Sequence, residues 1–179
     1  MIVEKMLGAA AEQGRDLSAL KALGDEVNDR TRSMGVALTS CTVPAAGKPT
    51  FQLGENEMEM GVGIHGEPGR QRVALKSADA IAEEIIGAIT SDLGPRARGD
   101  TLLLVNGFGG TPLMELYLVY HATHRVLTGK GVKVARSLVG NYVTSLDMAG
   151  CSITVCLLND ALTRLWDAPV HTAALRWGM

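Results

Sequence analysis

Aromatic residues are scarce in this 179-residue chain, at 4% of positions. So few rings leave no row of stacking platforms for bases. A charge excess is also missing: 17 Lys and Arg stand against 19 Asp and Glu, for a net charge of -2. That balance provides no electrostatic footprint for nucleic acid or for an anionic membrane. No apolar run approaches the roughly 20 residues of a helical membrane span. The opening Met1-Ile2-Val3-Glu4-Lys5 lacks the long apolar core of a secretory signal. Cysteine is limited to Cys41, Cys151 and Cys156, an odd number without CxxC spacing. These read as reduced thiols of a cytosolic protein. A nucleophilic role for one of them is the alternative, and it requires an activated thiol, which buried cysteines rarely provide.

What is present fits one globular domain over residues 1–179. Hydrophobic content is an ordinary 46%, and the length suffices for one buried core. There is no internal repeat, no low-complexity tract and no linker. Val3, Met6, Leu7 and Ala10 share a helical face that ends at Gly14. A second helix starts near Asp16 or Ser18, with a stripe of Leu20, Leu23, Val27 and Met34. Arg30 and Arg32 lie near its end and Gly35 stops it. Val36 to Thr39 and Met58 to Ile64 read as strands, separated by a loop around Pro44 to Pro49. Arg70 to Lys76 reads as a polar, exposed connection.

Ser77 caps a helix whose face is Ile81, Ile85, Ile89 and Leu93, and Gly94-Pro95 terminates it. Thr101 to Val105 is an apolar run suited to the centre of a sheet. Thr111 and Pro112 are placed to start the next helix, which ends at Gly129-Lys130-Gly131. Val132 to Val139 and Cys151 to Leu158 are the last strands, and Asp160 caps a short final helix. The pattern predicts an α/β fold: a two-layer domain with a mixed sheet covered by helices, antiparallel where strands follow in pairs.

The most informative segment is Gly61-Val62-Gly63-Ile64-His65-Gly66-Glu67-Pro68-Gly69-Arg70. It sets a histidine inside a glycine-rich turn after the alternating run Glu57-Met58-Glu59-Met60. Glycines admit positive φ and close approach of a ligand. A histidine held there is presented outward, either to a ligand or simply to solvent. Glu67 could orient its ring or stand as a solvated carboxylate. The Gly107-Phe108-Gly109-Gly110 turn before a helix has the look of a phosphate cradle. It lacks the Lys-Ser/Thr of a P-loop and does not fit GxGxxG, so a tight strand-to-helix connection is the better reading. His121 and His124 stand three apart, a metal-capable spacing without a third ligand, and His124 shares a face with Tyr120 and Leu127. No metal site is therefore expected. Asp147, in Thr144-Ser145-Leu146-Asp147-Met148, is read first as a hydrogen-bonding residue of its turn and second as a docking residue. His171 carries no derivable role.

Several segments in order carry a resemblance. They are Met34-Gly35-Val36-Ala37-Leu38 with Cys41-Thr42-Val43-Pro44, Gly47 to Pro49, and Gly61 to Gly69. Val105-Asn106-Gly107 with Gly109 follows, then Thr111 to Tyr117, Thr144 to Gly150, and Trp166 to Thr172. The chain resembles the dihydroxyacetone kinase family, specifically the C-terminal half of its substrate-binding K subunit or K domain. The resemblance implies that His65 binds a short ketose, such as dihydroxyacetone, as a covalent hemiaminal, with Gly63 and Gly66 leaving room for it. The family's Gly-Gly-Ser-Gly-His-Glu type loop and acid/base aspartate, which belong to its first domain, have no counterpart here. The chain thus resembles an isolated second domain, expressed alone or encoded by a split or truncated gene.

By the same resemblance, this domain binds no cofactor. ATP or ADP with Mg2+ resides on a nucleotide-binding L subunit or on a fused ATP-binding domain. The end of the sequence soon after Trp177 leans toward the separate-subunit type, recharged by a sugar phosphotransferase relay. A cytoplasmic homodimer is implied, as is a fragment without kinase activity of its own. The rival expectation is a non-catalytic dihydroxyacetone-binding sensor or coactivator.

Overall fold

A computed structural model of the chain describes residues 1–45, 47–65 and 69–178. Two helices come first, α1 (Ile2–Glu12) and α2 (Leu17–Asp29). The Asp16 carboxylate caps α2 by accepting the Ala19 N–H at 2.8 Å. Three strands follow, β1 (Thr31–Ala37), β2 (Glu57–Met60) and β3 (Gln71–Ala74). Then come α3 (Ala78–Leu93), β4 (Gly99–Gly107), α4 (Leu113–Gly129), β5 (Val132–Gly140), β6 (Gly150–Leu157) and α5 (Asp160–Asp167). A short hairpin of β7 (Val170–His171) and β8 (Arg176–Trp177) ends the described chain.

Strands β1 to β6 form one sheet in the order β3-β2-β1-β6-β4-β5. Only β4 and β5 pair in parallel, joined by the α4 crossover, and the other pairs are antiparallel. This is the mixed α/β sheet covered by helices that the sequence predicts. Period-two alternation divides the central strands between two faces. Leu103, Val105, Ile153 and Val155 pack under α3 and α4 with Ile85, Ile89, Leu116 and Leu127. Leu102, Leu104 and Cys156 turn the other way, onto Met6, Val27, Leu162 and Trp166 of α1, α2 and α5. Helices thus cover both faces, one layer more than the two expected. Each fully buried Leu or Ile contributes about 1.5–3 kcal/mol of transfer free energy, so both helical layers are tied to the sheet.

Several boundaries move. The stripe assigned to the second helix continues to Met34, but α2 ends at Asp29 and β1 starts at Thr31. Seven residues of β1 pair with β6. Met34 and Val36 share a face by strand spacing, so tertiary pairing overrides the helical pattern. Gly35 consequently sits inside a strand and stops no helix. The expected strand from Met58 to Ile64 is only Glu57–Met60, because Gly61 takes φ 78°. The exposed connection after Arg70 contains the edge strand β3, whose side chains face solvent except Val73, which is half-buried. Without a buried face it has no alternation to read. Thr111 is not the cap of α4; Pro112 holds that position. Asn159, not Asp160, caps α5, accepting the Leu162 N–H at 2.8 Å.

The two ends of the fold meet at Trp166. Lys5 of α1 is 9% exposed. Its ammonium donates to the Trp166 carbonyl and, at 2.8 Å, to the Ala168 carbonyl. It also lies 5.1 Å from the centre of the Trp166 ring. Burial lowers the Lys5 pKa, and the nearby Asp167 opposes that shift. Trp177 of β8 packs against Trp166 with ring centres 5.6 Å apart. Arg136 of β5 grips Asp167 through two hydrogen bonds, at 2.7 and 2.6 Å.

Candidate functional site

The loop that carries His65 is closed at its base. The Gly61 N–H donates to the Gly35 carbonyl at 2.7 Å, and the Arg70 N–H donates to the Met60 carbonyl at 2.7 Å. The two legs touch so closely that a Cβ on Gly61 would stand 2.7 Å from Arg70 Cγ. One on Gly69 would stand 2.6 Å from Glu59 Cγ. Glu59 is nearly buried and pairs with Arg72 at 3.2 Å. Inside the loop, Val62 is 3% exposed and packs with Ala37, Cys41, Phe108 and Met148. Three residues further on, His65 is exposed. The loop is thus anchored by a buried valine and presents its histidine outward. Glycine is required at Gly61 both by its φ and by the second leg.

Three neighbouring segments pack around that anchor. Asn106, at the end of β4, is 3% exposed. Its amide donates to the Val143 carbonyl at 2.8 Å and accepts the N–H groups of Tyr142 and Val143 at 2.9 and 2.8 Å. The Thr111 hydroxyl donates to the Gly150 carbonyl at 3.0 Å and accepts the Gly150 N–H at 2.7 Å. Within the Gly107 to Gly110 turn, the Phe108 N–H is given to the Gly150 carbonyl and the Gly110 N–H to the Met148 carbonyl. Two of the N–H groups that would line a phosphate cradle, those of Phe108 and Gly110, are thus committed within the protein. A Cβ at Gly110 would stand 2.5 Å from the Asp147 carbonyl. Close packing accounts for these glycines, as the sequence reading preferred.

A cleft of about 780 Å³ opens beside the loop. Gly61, Val62, Gly63 and Ile64 form one wall. The start of β1 from Arg32 to Gly35 and the last turns of α3 form others, with Arg70, Phe108 and Ser152 completing the lining. Arg32 is committed there to Asp92 and to the carbonyls of Asp29 and Thr31. His65 follows Ile64 and is not among the lining residues. The cleft is far larger than a three-carbon ketone requires, so volume alone does not define a substrate pocket in this chain.

Of the residues singled out from the sequence, Gly63 lies in the cleft wall beside the His65 loop. Gly66 and Glu67 lie outside the described residues. Asp147 accepts the Thr42 N–H at 3.2 Å, tying its turn to the loop after β1. That is the hydrogen-bonding role read first. His124 is half-buried with its ring centre 5.9 Å from that of Tyr120, whereas His121 is exposed. Among the described residues, no group of three or more His, Cys, Asp or Glu lies together in a metal-binding arrangement. All three cysteines are buried. Burial pushes the Cys151 thiol up to about 12 and raises that of Cys156, the opposite of an activated nucleophile. His171 is exposed in the final hairpin. Sequence reasoning missed the contact of Gly35 and Phe108 beneath Val62. A glycine inside a strand marks close backbone approach, but the helical stripe that runs to Met34 makes Gly35 read as a helix end.

The model of the Dak1 domain family matches residues 1–174. The chain belongs to this family. It is 43% identical to the dihydroxyacetone-binding subunit of the PEP-dependent dihydroxyacetone kinase of Escherichia coli K12, over 99% of this chain and 57% of that protein. It is 41% identical to an L-erythrulose 1-kinase of Mycolicibacterium smegmatis, over 98% of this chain and 32% of that protein. Among solved structures, the dihydroxyacetone kinase operon co-activator superposes with a TM-score of 0.87 at 33% identity, over 94% of this chain and 52% of that one. The chain spans about half the length of the dihydroxyacetone-binding subunits it matches. No helix among the described residues is long and apolar enough to cross a membrane.

Proposed function

We propose that this chain is the ketose-binding domain of a dihydroxyacetone kinase and that it captures dihydroxyacetone covalently on His65. The observation that carries this reading is the exposed His65 on a loop whose base is closed and whose Val62 is buried. A neutral imidazole has one ring nitrogen with a free lone pair. That nitrogen adds to the ketone carbon, forming the N–C bond as the C=O π pair moves to oxygen. The oxygen takes up a proton and the other ring nitrogen gives one up, so the hemiaminal is neutral. Such a trap selects carbonyl compounds over polyols. Gly63 and Gly66, which flank the histidine in sequence, provide space for the small ligand.

The parent enzyme is a phosphotransferase with an alcohol acceptor. Phosphoryl transfer needs a base and a positioned nucleotide with its metal. The reading assigns ATP or ADP with Mg2+ to a partner, either a separate nucleotide-binding subunit or a fused domain, and the base to the half of the relatives that this chain does not match. This domain holds no cofactor, works in the cytoplasm as a homodimer and has no kinase activity alone. Relatives named as dihydroxyacetone-binding subunits of PEP- or PTS-dependent kinases support the separate-subunit arrangement.

The test is [2-13C]dihydroxyacetone mixed with the chain and followed by 13C NMR and native mass spectrometry. A protein-bound tetrahedral carbon and a matching mass increment are expected, both absent in His65→Ala. An adduct of unchanged occupancy in that variant refutes the assignment. A second reading, a non-catalytic ketose sensor, is favoured by the likeness to the co-activator structure. It predicts adduct formation without phosphorylation even when both the unmatched half of the relatives and the nucleotide-bearing partner are supplied, whereas the kinase reading predicts turnover there.

A further inference from the structure

The His65 loop rests on one place in the sheet, and that place lacks a side chain. Gly35 is buried in β1. A Cβ there would come within 3.0 Å of two groups, the Val62 carbonyl oxygen and Phe108 Cζ, the latter at 2.9 Å. Side chains essentially never tolerate such approaches. The backbone carbonyl cannot turn away by changing rotamer. Phe108 is 1% exposed, and its backbone is fixed on both sides. Its N–H donates to the Gly150 carbonyl at 3.1 Å and its carbonyl accepts the Ser145 N–H at 2.7 Å. Strand β1 cannot retreat either, because all seven of its residues pair with β6.

Of the three bodies that meet here, the strand and the Phe108 turn are held by ladders and turn bonds. The third body is the segment from Gly61 to Ile64, which lies outside any strand or helix. It touches the strand through Val62 and through the Gly61 N–H bond to Gly35 itself. We propose that Gly35 and Phe108 are positioning residues that set the height and direction of the His65 loop, and through it the geometry of ketone capture. This rests on the reading of His65 as the ketone anchor. The ring of Phe108 lies over the bare α-carbon of Gly35 while Val62 packs in the same apolar cluster. Any atom added at Gly35 is transmitted to Val62, three residues before the reactive ring. A displacement of about 1 Å at a reacting group costs on the order of 100-fold.

The experiment uses the chain with Gly35→Ala and Phe108→Leu. The control is Gly8→Ala, on the exposed side of α1, where nothing lies within 4 Å of an added Cβ. Two quantities are read: the ring 1H–15N signals of His65 and their pH titration, and the rate and dissociation constant of adduct formation with [2-13C]dihydroxyacetone. Gly35→Ala is expected to shift the His65 signals and slow adduct formation roughly 10- to 100-fold, with weaker ketone binding. Phe108→Leu removes the ring and leaves the carbonyl contact, so it gives a smaller change in both, and it carries the test if Gly35→Ala does not fold. Gly8→Ala changes neither. Glycine and phenylalanine acting only on stability would lower Tm and leave the His65 ring signals of the folded variants in place. That outcome, with ketone affinity unchanged, overturns the proposal. His65→Ala, run in parallel, separates the two readings. Ketone binding that survives in His65→Ala refutes the anchor, while His65 signals that move in Gly35→Ala still uphold the positioning.

Discussion

Replacing Asn106 with alanine tests how the loops at this end of the sheet are held. The Asn106 amide makes three short bonds, one to the Val143 carbonyl and two from the N–H groups of Tyr142 and Val143. A typical bond of this kind contributes about 1 kcal/mol net, and a buried group left without its partner costs about 1–3 kcal/mol. Asn106→Ala orphans three backbone groups, some of which water will reach, because the bonds are only partly buried. The expected loss is about 2–4 kcal/mol. Urea unfolding should give a lower midpoint at unchanged slope, and amide exchange at Tyr142 and Val143 should accelerate. Asn106→Asp gives a sharper contrast. It keeps an oxygen for both N–H groups and loses only the donor to Val143, so amide protection should survive while stability still falls. A loss below about 0.5 kcal/mol in Asn106→Ala, or Tyr142 and Val143 amides that exchange as in the wild type, would refute this account.

Three further outcomes follow from the described contacts. The native chain should give almost no reaction with a thiol reagent at mildly alkaline pH, because all three cysteines are buried and the Cys151 thiol is pushed up to about 12; three thiols should react after denaturation, and rapid native labelling would contradict the burial. The hydrogen bonds from Arg136 hold the Asp167 carboxyl below its usual range, with Lys5 adding attraction. A depressed carboxylate stabilises the fold above its unfolded pKa of about 3.9 and loses that effect as pH falls through its folded value. The Tm gap between wild type and Asp167→Asn should therefore be open at neutral pH and close on acidification, and a gap that widens in acid would show that another group governs it. The start of α4 leaves Leu113, Met114, Tyr117 and Leu118 exposed, Met114 by 80%. Such a patch favours self-association, so light scattering should find a dimer that Met114→Lys with Leu118→Lys converts to monomer; a wild-type monomer at micromolar concentration would rule this face out.

Helices with a clean apolar stripe were legible from the sequence, as α3 demonstrates. Ser77, Ile81, Ile85, Ile89 and Gly94 set its start, face and end, and each is a local signal. The central strand β4 was legible for the same reason, since a continuous apolar run is buried on both faces. Strand β3 was not, because an edge strand with solvent on its side chains leaves no periodic trace in Gln71 to Ala74. The end of α2 was misplaced because Met34 suits a helical stripe and a strand face equally well. Only pairing with Ile153 across the sheet decides between them. At the site, the glycine turn around His65 was visible as a local motif. The support from Gly35 and Phe108 was not, because it joins residues 73 positions apart through a contact between a missing side chain and a ring.

The tie between Lys5 and the carbonyls of Trp166 and Ala168 bears on how this unit can be handled as a building block. It holds the first helix to the tryptophan on which Trp177 of the last hairpin also packs, so a peptide fused to either end would leave from one neighbourhood. A domain with that property is suited to insertion into a host protein as a cassette, through short linkers at both junctions. A short linker across the two ends, with new termini opened in the exposed turn at Lys130, would rewire the order of the chain while leaving the His65 loop where it is.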